Sequence, residues 1–162
     1  MSNYDNFKKA FKGDLVTPAD EGHEKAIARW ARNAVRHARI VAFVKDVEDV
    51  SLALKFAKKE GIPLAIMGGG HSVSGASSIE DGLVIDLSRY FTGVKIDPHK
   101  KLAYIQGGAV WKTVDEEAIK YGLAAVAGTV NHVSALHVLA MRSSSDLCLL
   151  SDWGRRVSIL SH

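Results

Sequence analysis

The sequence predicts an α+β fold: a small α+β lobe built on a βαβ unit, followed by the start of a second lobe. Three observations carry this expectation. Two short apolar runs, residues 40–44 and 64–67, flank a stretch with helical periodicity. Residues 94–97 and 102–106 flank Asp97-Pro98-His99-Lys100, a turn sequence whose proline pre-sets φ, so they predict a hairpin. The run from Ile62 to Met67 enters through Pro63 and stops at Gly68-Gly69-Gly70-His71-Ser72, which reads as a buried strand ending in a loop.

Taken in order, residues 1–16 show no periodic signal beyond Phe7 and Phe11 and are expected to form an arm over the domain. Thr17-Pro18-Ala19-Asp20-Glu21 has the composition of a helix start, and Ile27, Trp30, Ala31, Ala34 and Val35 fall on one face, which predicts a helix to about Arg36. Residues 40–44 form the first strand. Asp46 caps the next helix, with Val47, Val50, Leu54 and Ala57 as its apolar face, Lys58 and Lys59 in its last turn and Gly61 as terminator. The strands on either side of that helix are expected to be parallel, joined by a right-handed crossover. Residues 83–87 give another buried strand, and the hairpin follows. A third helix is expected near Thr113, in a capping box with Glu116, carrying Val114, Ala118 and Tyr121 inward and stopping at Gly122. Residues 123–126 give a last short strand leading into Gly128-Thr129.

The glycine loop is where chemistry is expected. Glycine accepts positive φ and close backbone approach, so consecutive glycines can turn several N–H groups toward one anion, and a phosphate is the natural guest. Two familiar phosphate loops do not fit. Counting Gly-x-Gly-x-x-Gly from Gly68 reaches Gly70 and then Val73, with no amphipathic helix following. Gly70 and Gly75 have the spacing of a nucleoside-triphosphate loop, but Ala76 stands where its lysine belongs.

Composition limits the remaining classes. The chain has 162 residues, 47% hydrophobic and 24% charged, enough for a packed core and unlike a disordered or fibrous chain. Its formal charge is only +3, and Arg29, Arg32, Arg36 and Arg39 at helical spacing read as a solvated face without the aromatic platform of a nucleic-acid site. Cys148 is the sole cysteine, so no intrachain disulfide can form. Residues 1–14 lack a signal-peptide core, and no run approaches the ~18 apolar residues of a membrane span, so a soluble cytoplasmic protein is expected. His71, His132 and His137 lack metal-ligand spacing, and Ser72 and Ser74 lack a Gly-x-Ser-x-Gly elbow.

Five blocks occur in order: Gly-Gly-Gly-His-Ser from Gly68, Gly-Leu-Val-Ile-Asp-Leu-Ser from Gly82, Gly-Gly-Ala-Val-Trp from Gly107, Gly-Leu-Ala from Gly122, and Gly-Thr-Val-Asn-His from Gly128. This series resembles the FAD-binding PCMH-type domain of the vanillyl-alcohol-oxidase/p-cresol-methylhydroxylase flavoproteins, nearest the berberine-bridge-enzyme-like members. The resemblance spans about residues 17–133. It implies an FAD-dependent oxidoreductase that oxidises a small organic substrate by hydride transfer to flavin. It assigns the FAD pyrophosphate to Gly68, Gly69, Gly70, Ser72 and Gly75, and to His71 either a covalent flavin bond, as in many members, or a hydrogen bond within the loop, as in relatives that hold FAD non-covalently. Gly128, Thr129, Val130 and His132 match residues that approach flavin and ribose. Gly107, Gly108, Trp111 and Asp86 read as packing, and Met67 departs from the arginine common before the glycines.

The resemblance ends at Val133. The expected division is therefore an N-terminal arm and helix over 1–35, an incomplete FAD-binding domain over 36–133, and a tail over 134–162 foreign to the family through a frameshift, retained intron or alternative exon. A catalytically silent fragment is the alternative reading. Leu136, Val138, Leu139, Met141, Leu147, Leu149 and Leu150 in that tail lack an assigned partner, which predicts self-association through exposed apolar surface.

Overall fold

The computed structural model describes residues 2–125, 130–135 and 155–161, the last segment by its backbone course. It separates into two compact units, residues 1–90 and 91–162.

In the first unit the residues expected to form an arm are ordered elements. Helix α1 (Asn3–Ala10) begins with a capping box, the Ser2 hydroxyl accepting from the Asp5 amide while the Asp5 carboxylate accepts from the Ser2 amide. Its one buried side chain, Phe7, stacks on Phe56 at 4.4 Å, an apolar anchor too sparse to register as periodicity. Strand β1 (Asp14–Val16) then pairs antiparallel with β2 (Ile40–Phe43).

The long helix expected from Thr17 to Arg36 does not form. The Asp20 carboxylate accepts from both the amide and the hydroxyl of Thr17, closing a turn instead of opening a helix. Helix α2 covers only His23–Ile27, Ala28 is extended, and Arg32–Ala34 makes one 3-10 turn. The arginine row is consequently not a solvated helix face. The Arg39 guanidinium pairs with the Asp81 carboxylate, Arg36 donates to the carbonyls of Asn33 and Val35, and Arg29 is drawn inward.

Helix α3 (Val47–Glu60) starts at the Asp46 cap and ends at Gly61, whose φ of 65° lies in the left-handed region, as expected from the sequence. Its buried face is different: Asp49, Ala53, Phe56 and Ala57 point inward, while Val47 and Leu54 are exposed. Asp49 takes the inward position because its carboxylate accepts from the amides of Lys12, Gly13 and Lys45 at 2.9–3.0 Å. A carboxylate holding three backbone donors can occupy a core position that an apolar side chain would otherwise fill.

Strands β3 (Leu64–Met67) and β4 (Leu83–Asp86) complete a sheet in the order β1-β2-β4-β3. β2 and β3 are parallel as expected, each paired with β4 between them. Val41, Phe43, Ala65, Met67 and Val84 share a core with Ala26 and Ile27 of α2, and α3 packs against β4.

In the second unit the hairpin forms as read, with β5 (Val94–Asp97) antiparallel to β6 (Leu102–Ile105). Helix α4 spans Trp111–Ala118 with Val110 at its cap and no side-chain capping bond, so Thr113 lies inside the helix. The start is set instead by the Trp111 and Lys112 amides donating to the carbonyls of Val133 and Asn131. Val114 and Ala118 are buried, whereas Tyr121 is exposed on the 3-10 turn closing at Gly122. Strand β7 (Leu123–Ala125) and strand β8 (Arg155–Ser161) give the order β5-β6-β8-β7. The core of this unit gathers Ile96, Ala103, Ile105, Trp111, Val114 and Leu123.

Candidate functional site

Met67 ends β3 beside Asp86 at the end of β4, and the chain leaves the sheet there, at the carboxyl ends of parallel strands where ligands sit in such sheets. Residues 68–82 form no helix or strand. Gly70 has φ 68° and Gly75 φ 79°, so two of the glycines occupy a region that L side chains rarely adopt. Among the described residues, the amides of Gly68, Gly69, Gly70, Ser72 and Val73 donate no hydrogen bond. They are half-buried or exposed except Gly70, which is buried. A run of uncommitted N–H groups at this place suits an anion with several oxygens.

The rest of the loop is committed to holding its shape. The Gly75 amide donates to the Ser72 carbonyl, the Ala76 amide to the Ser72 hydroxyl at 3.3 Å, and the hydroxyls of Ser72 and Ser74 lie 3.0 Å apart. Arg29 braces it from the side, its Nε and Nη2 donating to the Ser77 carbonyl at 3.2 and 2.8 Å and its Nη1 to the carbonyls of Ala26 and Ala28. Burial lowers the proton affinity of this guanidinium, against the opposing pull of Asp86. Arg29 forms no salt bridge among the described residues, so a cation held only by carbonyls lies beside Gly70.

Asp86 is fully buried, with Oδ1 accepting from the Ser88 amide and hydroxyl and Oδ2 unpartnered among the described residues. Burial pushes its carboxyl up, against the Ser88 hydrogen bonds and the charges of Arg29 and Arg89. His71 is half-buried, and its ring stacks on the indole of Trp30 at 5.7 Å with 26° between planes.

The second group expected from the sequence lies in the other unit. Gly128 and Thr129 fall outside the described residues. Val130 and His132 are exposed, in a turn closed by the Val133 amide donating to the Val130 carbonyl. Residues 131–135 then run along the start of α4, bringing this turn next to Gly107, Gly108 and Trp111; the Ser134 hydroxyl donates to the Gly107 carbonyl. The tail leucines and valine expected to be exposed also fall outside the described residues. A cavity of about 790 Å³ borders the β5–β6 hairpin, lined by Val94, Ile96, Tyr104 and Gln106 among others, and it contains none of the expected site residues.

Comparison with known proteins shows the family of the chain. The family described as FAD binding domain matches residues 38–153, a span holding the glycine loop, the hairpin and α4 and running past Val133. The chain belongs to that FAD binding domain family. FAD is therefore its cofactor, and the loop fits the group: five amides that donate no hydrogen bond among the described residues and the hydroxyls of Ser72 and Ser74 suit the diphosphate of a dinucleotide, beside an Arg29 charge that carbonyls alone hold. YgaK of Bacillus subtilis, named an uncharacterized FAD-linked oxidoreductase, is 35% identical over 126 residues, 78% of this chain and 28% of the relative. (R)-6-hydroxynicotine oxidase of Paenarthrobacter nicotinovorans is 29% identical over 74% of this chain and 26% of its own length. The solved 6-hydroxy-D-nicotine oxidase of Arthrobacter nicotinovorans superposes with a TM-score of 0.74 at 28% identity, covering 77% of this chain and 27% of that one. A berberine-bridge-like protein of Physcomitrella patens gives 0.75 at 20% identity, over 83% of this chain and 29% of that one, which shows the fold. The chain spans about a quarter of the length of these relatives.

Read from sequence, Arg29 falls in a solvated row and Trp30 on an apolar helix face, and Asn33 is passed over, so the contacts of all three with residues 70–77 are missed. The signal available was composition, since an indole set among Arg29, Arg32 and Asn33 makes a poor core face. No helix among the described residues is long and apolar enough to cross a membrane, and no cluster of His, Cys, Asp and Glu among them could hold a metal ion.

Proposed function

We propose that this chain binds FAD through the amides of Gly68, Gly69, Gly70 and Ser72 and serves a berberine-bridge-like oxidoreductase acting on a small organic molecule. The observation that carries the reading is the set of amides after β3 that donate no hydrogen bond among the described residues. The chemistry FAD supplies when bound is acceptance of two electrons, as a hydride from an alcohol, amine or sugar carbon. The protein's part is to hold the cofactor. The loop amides and the Ser72 hydroxyl proton meet the diphosphate, the Arg29 charge lowers the cost of gathering its negative oxygens, and Gly75 lets the loop turn back. His71 would be the tether, a ring N–H and one methyl C–H of the flavin giving way to a C–N bond, with two protons leaving and two electrons passing to the flavin and then to dioxygen; Gly128, Thr129, Val130 and His132 are assigned to flavin and ribose.

Titrating the cofactor-free chain with FAD and then precipitating it in acid tests this reading. Binding is expected to quench flavin fluorescence, and yellow colour is expected to stay with the acid precipitate of wild type. His71→Ala is expected to lose the acid-stable colour and to keep a weakened reversible binding. A chain that stays colourless at saturating FAD overturns the proposal.

A further inference from the structure

We infer that Trp30 is a positioning residue for His71, fixing the imidazole in the orientation that FAD capture needs; this rests on the reading of the glycine loop as the FAD site. Trp30 is 66% exposed, so its indole contributes little to a core. What it does touch is specific. The Trp30 amide donates to the Gly70 carbonyl at 3.3 Å, and the indole lies nearly parallel to the His71 ring, 5.7 Å away.

The neighbours of Trp30 hold its backbone against the same loop. Asn33 Nδ2 donates to the Val73 carbonyl at 3.3 Å, and Arg29 holds the Ser77 carbonyl with two donors. Residues 29–33 thus form a strap that meets the loop at positions 70, 71, 73 and 77. An imidazole on a glycine-rich loop has unusual backbone freedom around it, so a ring stacked from a pinned strap limits its rotation. Functional side chains need this kind of outside support to keep one orientation. Removing the indole leaves the loop amides in place and takes this stacking restraint off the ring, so the loss should fall on capture more than on folding.

The test compares wild type, Trp30→Ala and Trp30→Phe in the whole chain by two readouts. The first needs no FAD: His71 ring-proton resonances, assigned by their disappearance in His71→Gln, are expected upfield in wild type and Trp30→Phe and unshifted in Trp30→Ala. The second is FAD titration, where Trp30→Ala is expected to bind about fivefold more weakly and Trp30→Phe within about twofold of wild type, the scale of one aromatic stack. Amide dispersion of each variant reports its fold. Unshifted His71 resonances in wild type, or equal FAD uptake by Trp30→Ala and wild type, overturn this inference alone. A wild-type chain that takes up no FAD overturns the loop reading, and this inference falls with it.

Discussion

Gly70→Val is expected to weaken FAD binding by at least about 100-fold, the equivalent of losing two powers of ten in affinity, or roughly 3 kcal/mol. The loss has two sources. At φ 68° an L side chain pays about 1–2 kcal/mol, and a β-branched one is worse placed still. A Cβ at Gly70 would also lie 3.5 Å from both Arg29 Cδ and Met67 Sδ, so the first carbon is already in contact and valine's branches add bulk beside both side chains. Either the loop leaves its φ or Arg29 leaves its place, and both disturb the amides proposed to meet the diphosphate. Gly61→Ala separates this from general destabilisation. Gly61 has a similar φ of 65° with nothing within 4 Å of its would-be Cβ, so that variant should lose stability and bind FAD as wild type does. Parallel titrations read the contrast, and equal losses in the two variants would remove the special role of Gly70.

Asp49→Ala is expected to destabilise the first unit by about 3–5 kcal/mol, because it breaks three part-buried hydrogen bonds, each worth about 1–3 kcal/mol when a charged acceptor is lost. The donors are the amides of Lys12, Gly13 and Lys45, so one side chain of α3 ties down the approach to β1 and the exit of β2. Glu48→Ala, one residue away and exposed, should change stability by no more than about 0.5 kcal/mol. Urea unfolding followed by tryptophan fluorescence measures both. A change below about 1 kcal/mol for Asp49→Ala would show that water replaces the carboxylate at those amides.

The same residue shows why parts of this fold were legible and others were not. Strands β2, β3 and β4, the β5–β6 hairpin and the ends of α3 follow from local patterns: apolar runs, a proline turn, an Asp cap and a terminal glycine. The glycine loop was legible too, since its five-block context is a sequence property. What failed were assignments decided by partners far along the chain. Asp49 outcompetes Val47 and Leu54 for the inward face of α3 only because the Lys12 and Gly13 amides come to meet it from more than thirty residues away. Trp30 reads as apolar and therefore buried, yet its ring has a partner at His71 that no local periodicity announces. The helix expected from Thr17 was lost to a competing turn, in which the same Asp20 that favours a helix start closes on Thr17 instead.

If the loop after β3 reads a diphosphate, amide-resolved NMR will register it residue by residue. Separate titrations with FAD, ADP and riboflavin divide the cofactor into its parts, since FAD and ADP carry the diphosphate and riboflavin does not. The amides of Gly68, Gly69, Gly70, Ser72 and Val73 are predicted to move with FAD and with ADP and to stay in place with riboflavin. Shifts confined to other residues, or an equal response to riboflavin, would contradict the account.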